Sequence, residues 1–229
     1  GLVAKYNSSG TLQWQRRVSN TYNVEFNGVG VDSAGNIYSV GFYDTSGSFD
    51  YNLLLVKYNS SGTLQWQRAL GGFTGQNNKL QSVAFDSSDN VYCIGEVASG
   101  AGGGVEMSLA KYNSSGTLQW QRALGFDDSD RGYGIFIDDN DDIHIAADSQ
   151  SSNDKYMLSA KLPNDGSLTG TYTLDGQTII YAASSLSAFT PSLTSSASGL
   201  SVVTPASTAE TATMTTSTPS LTLELVEIG

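Results

Sequence analysis

One twelve-residue string constrains this chain more than any other feature. Residues 5–16 read KYNSSGTLQWQR, and the same letters return at 57–68 and 111–122. The spacings are 52 and 54 residues, and a degraded copy, AKLPNDGSL, carries Lys161 a further 50 on. A fixed period of this length marks a chain built by stacking one supersecondary unit, each copy burying what its neighbour cannot bury alone. A second element lies between the copies. Asp32-Ser33-Ala34-Gly35-Asn36 is matched by Asp86-Ser87-Ser88-Asp89-Asn90 and by Asp138-Asp139-Asn140-Asp141-Asp142, each between short apolar runs. The unit is therefore two hairpins.

The first hairpin reads directly from side-chain alternation. Leu2, Ala4 and Tyr6 point to one face, Val3 and Lys5 to the other. Asn7-Ser8-Ser9-Gly10 is a turn: Asn and Ser bond their own backbone, and Gly supplies a positive φ. Leu12 and Trp14 then share the face of Val3 and Lys5, which brings the Trp14 ring within reach of the Lys5 charge. The expected repeat core is Tyr6, Trp14, Tyr58, Trp66, Tyr112 and Trp120.

No stretch keeps a 3.6-residue apolar period with caps, so the fold class is all-β. Four short strands per unit suit a β-propeller-like array of four-stranded blades, about three and a half in this chain; a stacked β-solenoid is the rival. Units begin near residues 1, 53 and 107, with a degraded hairpin near 157, so the array covers 1–162. Closed propellers need roughly four to eight blades. Three expectations stay open: a longer native chain, favoured by the absent initial Met and the mid-unit start; two chains pairing; or an open array.

Beyond residue 162 the material changes. No Lys or Arg occurs there, and nearly half of residues 167–220 are Ser or Thr. Residues 163–181 read as a connector with a hairpin around Asp175-Gly176. Residues 182–229 form a Ser/Thr/Ala-rich tail, with a strand expected near 221–225. Such a tail is either a flexible linker or an assembly segment that pairs with other subunits.

The net charge of −11 opposes nucleic-acid binding, which draws on Lys and Arg. No run of 18 apolar residues exists to span a membrane as a helix. One Cys, Cys93, excludes an internal disulfide framework, and one His, His144, leaves no Ser/His/Asp set that avoids it. No catalytic residue and no cofactor is expected.

Weaker motifs each have a plainer reading. Asp138, Asn140 and Asp142 open like a calcium loop, but Ile143 stands where Gly is needed and Ser149 where Glu is needed. Asp127, Asp128 and Asp130 make a second acidic loop. The Asn7, Asn59 and Asn113 triplets fit N-glycosylation, yet sit where turns are required. Gly71-Gly72 and Gly102-Gly103-Gly104 read as loops, without the Lys of a phosphate loop. His144 takes the slot of Tyr38 and Tyr92 and is expected to pack there; Cys93 reads as a small buried residue. The three Trp could line a carbohydrate site, but their identical placement favours a repeated core.

The unit VKYNSSGTLQWQRALGG followed by SVAFDSSDNVYCIGE resembles the SBBP-type β-propeller repeat family, in which a K-Y-x-x-x-G-x-x-x-W hairpin precedes a D-x-x-G-N-x-Y-x-x-G hairpin. Asp89 departs from that pattern, and so does Asp141-Asp142, which makes the third copy the most decayed. The resemblance implies a fold and no activity. Near-identical repeats ahead of LPNDGSLTGTYTLDGQTIIYAASSLSAF and a Ser/Thr tail are also similar to structural proteins of tailed phages. That resemblance implies a non-enzymatic virion subunit, a tail fibre or surface component. It would join other virion proteins or its own copies through the tail. Its loops at 43–49, 73–78, 98–106 and 127–131 would meet a host-surface glycan or protein. A bacterial extracellular adhesion propeller is the alternative.

Overall fold

The computed structural model describes residues 1–71, 78–98, 104–125, 129–151, 154–174, 177–184 and 186–197. Among them there are strands and turns and no helix. β1 (Leu2–Tyr6) and β2 (Leu12–Ser19) form a hairpin. β3 (Val24–Val31), β4 (Ile37–Asp44), β5 (Tyr51–Tyr58) and β6 (Leu64–Gly71) run as an antiparallel meander. β7 (Lys79–Phe85), β8 (Val91–Ala98), β9 (Val105–Tyr112) and β10 (Leu118–Gly125) repeat it. β11 (Ser129–Ile137), β12 (Ile143–Ser151) and β13 (Asp154–Leu162) supply three strands of another.

Each full meander opens with the Asp turn and closes with the Asn turn. The sheets are therefore half a unit out of phase with a sequence unit that starts at the Lys-Tyr pair. The reason is the long β4–β5 ladder, which pairs every residue from Ile37↔Tyr58 to Asp44↔Tyr51. It joins hairpins that the twelve-residue string separates. β4 and β8 are buried along their full length, as central strands covered on both faces must be.

β3, β7 and β11 lie side by side. Small residues permit the approach: a β-carbon on Gly28 would stand 2.6 Å from the Gln81 carbonyl oxygen. Asn27 Nδ2 donates to the Leu80 carbonyl across the same seam (2.9 Å). Three apolar cores alternate with the sheets. Val18, Leu54 and Tyr58 belong to the first; Val40, Leu55 and Cys93 to the second; Ile94, Leu109 and Ile143 to the third.

The sheets carry three, nine and five strands rather than a uniform four. One parallel bridge, Ser129↔Val105, joins the second meander to the third and makes the large sheet. The other extra strands come from the tail. β14 (Gly170–Leu174) and β15 (Gln177–Ala183) make a hairpin, and β15 adds to the outer edge of β10. β16 (Ser187–Phe189) adds to β6, and β17 (Thr194–Ala197) adds to β2. The tail thus runs back over the repeats in reverse order. Its start is legible in the degraded copy: Gly170 and Tyr172 stand where Trp120 and Arg122 stand 50 residues earlier. Without those side chains, the strand that would follow β13 leaves it and pairs with β15. The expected strand near 221–225 lies outside the described residues.

Candidate functional site

The topology gives the sheets two unlike ends. The Asp and Asn turns all lie at one end; the links β2–β3 and β4–β5, and the strand ends that flank the β6–β7 and β8–β9 links, lie at the other. The first end is constant in sequence and the second is variable.

At the constant end each unit grips the next. Asn7 Oδ1 accepts from the Ser9 and Thr11 amides (3.1 and 2.8 Å), which closes the turn, and Asn59 and Asn113 do the same. Here the Asn side chains serve as turn formers. Three side chains then reach across to the following turn. Lys5 Nζ and Trp14 Nε1 donate to the Ser60 carbonyl (3.1 and 3.0 Å), and Arg16 Nε donates to the Gly62 carbonyl (2.6 Å). Lys57, Trp66 and Arg68 hold Ser114 and Gly116 in the same way. Lys111, Trp120 and Arg122 hold Asn164 and Gly166. The indole needs a flat floor, and the left-handed glycine of the next turn supplies it.

The Asp turns are linked as well. Asp32 accepts from the Ala34 and Asn36 amides, from Asn36 Nδ2 and from the Tyr38 hydroxyl, with Lys57 Nζ 3.6 Å away. Asp86 repeats the set with Ser88, Asn90, Tyr92 and Lys111. Burial pushes both carboxyls up, but these donors more than offset it and hold both below the ordinary range. Between turns, Asp89 takes the Ser33 amide and hydroxyl (2.9 and 2.7 Å), and Asp141 takes those of Ser87 (2.8 and 2.7 Å). Both acceptors hold positive φ, 58° and 64°. The departures from a glycine pattern at Asp89 and Asp141 are therefore inter-unit acceptors.

Several sequence expectations are corrected here. The cation over each Trp is Arg: Arg16, Arg68 and Arg122 lie 5.7, 5.3 and 5.6 Å from their ring centroids. Lys57 and Lys111 instead cover Tyr38 and Tyr92 (4.9 and 4.8 Å). Tyr58 and Tyr112 are buried, but Tyr6 is 48% exposed. Tyr58 packs against Trp14 of the preceding unit, and no such Trp precedes Tyr6 among the described residues. Trp14 is buried, while Trp66 and Trp120 are half-buried against the neighbouring cores. His144 keeps the Tyr slot: its ring lies 6.1 Å from that of Phe136, and Nε2 lies 2.8 Å from Asp138 Oδ2, replacing the Tyr hydroxyl of the other two turns, though the side chain is half-exposed where Tyr38 and Tyr92 are buried. Cys93 is fully buried in the second core.

The acidic candidates are spent on local partners. Asp138 Oδ1 accepts from the Asn140 and Asp142 amides, and Oδ2 faces His144 and Lys161. Asp142 pairs with Lys161 Nζ at 2.7 Å. Among the described residues no group of three His, Cys, Asp or Glu side chains converges on a metal position. Asp130 accepts from the Ser149 hydroxyl; Asp127, Asp128 and most of the two glycine runs lie outside the described residues.

The variable end is held on a polar frame. Asn78 is fully buried; its Nδ2 donates to the Tyr51 carbonyl (2.7 Å) and its Oδ1 accepts from the Ala98 amide (2.9 Å). Glu96, also buried, lies 2.8 Å from Lys79 Nζ and 2.9 Å from Arg131 Nε. Asp44 accepts from the Ser46 and Gly47 amides (3.0 Å each), which shapes the β4–β5 loop. That loop carries Phe49 at φ 64° and 67% exposed. Beside it opens a cleft of about 340 Å³, lined by Asn20, Tyr22, Tyr43, Thr45 and, from the tail, Thr190 and Leu193 among others. Aromatic faces beside amide and hydroxyl groups are the make-up of a small-ligand cleft.

The chain matches no protein-family model and no curated protein.

Proposed function

We propose that the chain is a non-enzymatic structural and adhesion subunit of a virion, a tail fibre or surface component, built on a β-propeller-type array. The meanders β3–β6 and β7–β10 are its four-stranded blades, and the tail joins the assembly. One observation carries this: the repeated Lys, Trp and Arg side chains are consumed in unit-to-unit contacts at one end, while the variable links collect at the other. A rigid, sequence-constant base under variable loops is how scaffolds present binding surfaces. The exposed Tyr22 and Phe49 and the cleft beside them are the contact points for a host-surface glycan or protein.

The test is proteomic and then functional. Mass spectrometry of purified virions finds the chain as a stoichiometric component, and the purified protein binds host cells. Its absence from virions, or its recovery only from bacterial envelopes, overturns the virion reading. Turnover of host polysaccharide by the purified chain overturns the non-enzymatic one.

A further inference from the structure

The first sheet differs from the others at one strand edge. β1 is the counterpart of β5, β9 and β13, and those three pair along their lengths with β4, β8 and β12. β1 pairs with β2 on one side and has no partner on the other among the described residues. The three complete ladders show what this edge is shaped to receive.

In each ladder a Lys faces a ring. Lys57 stands opposite Tyr38, Lys111 opposite Tyr92 and Lys161 opposite His144. The Asp six residues ahead of that ring also approaches the ammonium group: Asp32 at 3.6 Å, Asp86 at 3.5 Å and Asp138 at 3.5 Å. Lys5 holds the same position in β1 and keeps one contact of the set, its donation to the Ser60 carbonyl (3.1 Å). No carboxylate meets it among the described residues.

Val31 lacks the same ring. The residue before an Asp turn packs against the ring of the preceding unit: the Phe85 and Tyr38 centroids lie 4.7 Å apart, and Ile137 shares the third core with Tyr92. Val31, their counterpart, is 58% exposed, and Val29 beside it is 66% exposed. A cleft of about 250 Å³ opens there, lined by Leu2, Val3, Ala4, Phe26 and Val29 among others. An open edge, an unmatched cation and an uncovered apolar seat thus meet at one place.

We infer that this edge of β1 is a strand-addition site for a segment of a different polypeptide that carries Asp six residues ahead of Tyr, with the Tyr opposite Lys5. The edge supplies backbone pairing, Lys5 meets the carboxylate and the ring face, and Val29, Val31 and the cleft seat the apolar side chains. The interface continues one already built three times in the chain. A folded second copy has no such strand to give, because its β4, β8 and β12 are each paired on both sides. The site is separate from the loop cleft and from the tail of the function proposed above, so the two readings fail separately.

The probe is a fluorescein-labelled synthetic peptide with the sequence of residues 32–44, titrated into the full chain. It should bind saturably, and the peptide Asp32→Asn/Tyr38→Ala should bind about ten-fold more weakly or worse. Chain Lys5→Met should lose a similar factor for the parent peptide and discriminate less between the two peptides. Hydrogen exchange read by mass spectrometry should show the peptide protecting residues 2–6. Absence of binding, equal binding of the two peptides, or protection confined to other strands overturns the inference. If Lys5→Met does not fold, the peptide pair and the exchange map on the wild-type chain decide it.

Discussion

Gly62 lies under the indole of Trp14, so close that a β-carbon there would stand 2.6 Å from the ring. Its φ is +77°. Gly62→Ala therefore meets two penalties, about 1–2 kcal/mol for the left-handed backbone and about 1–3 kcal/mol for overpacking. Gly10 has φ +76° but nothing within 4 Å of a β-carbon, so Gly10→Ala meets only the first. Urea unfolding of both variants should show Gly62→Ala as the more damaging by about 1–3 kcal/mol. Equal losses would remove the indole floor from the account of unit stacking.

The Ser33–Asp89 link trades backbone strain for an inter-unit contact. Asp89→Gly relieves the positive φ while losing both hydrogen bonds; Asp89→Ala loses the bonds and keeps the strain. The Ala variant should be the less stable of the two by about 1 kcal/mol. A double-mutant cycle with Ser33→Ala should give a coupling of roughly 0.5–1.5 kcal/mol. A coupling near zero would mean that water serves both groups equally well.

Acid should attack the turns through Asp32 and Asp86. Both have folded-state pKa values below the unfolded one. Their contribution is therefore complete above the unfolded value, about 3.9, and is lost as pH falls through the lower folded values. The urea midpoint should stay level from pH 7 to about 5 and drop below about 4. In Asp32→Asn/Asp86→Asn the neutral baseline is lower and the acid limb is shallower. An unchanged acid limb would place the sensitive carboxylates elsewhere.

Leu186 shows what the tail contributes to stability. It is 5% exposed and packs among Leu53, Leu70 and Val97 of the second core. Leu186→Ala should cost about 2–4 kcal/mol, whereas Met157→Ala, at 97% exposure, should stay within about 0.5 kcal/mol. A tail that merely rests on the surface would make the two variants alike.

The strands and turns were readable because their signals are local. Alternation around Lys5-Tyr6 and Trp14, and the Asn and Asp turn residues, each act within one hairpin. What lay beyond reach was pairing that the repeated strings do not mark. The half-unit phase depends on β4 meeting β5 through the Asp44-Thr45-Ser46-Gly47 turn, which belongs to neither repeated string. Asp89 and Asp141 looked like decay because their donors, Ser33 and Ser87, sit one unit away. Seven-residue spacing of Ile179, Leu186, Leu193 and Leu200 was present in the letters, but a Ser/Thr-rich background masks it, and one large apolar residue in seven makes neither the alternation of a strand nor the i, i+3, i+4 stripe of a helix. The slot of His144 was legible from Tyr38 and Tyr92; its hydrogen bond to Asp138 was not, because that acceptor is defined by the fold of the turn.

The reversed course of the tail sets a timetable for synthesis. β2 leaves the ribosome well ahead of its outer partner β17, whose Thr194 lies 175 residues after Ser19. At roughly 5–20 residues per second, that edge waits about 9–35 seconds on the ribosome. β10 waits far less for β15. Of the three sheets described, the one whose first strands are made earliest is thus the last to be sealed, and its edge stays open for pairing throughout that interval.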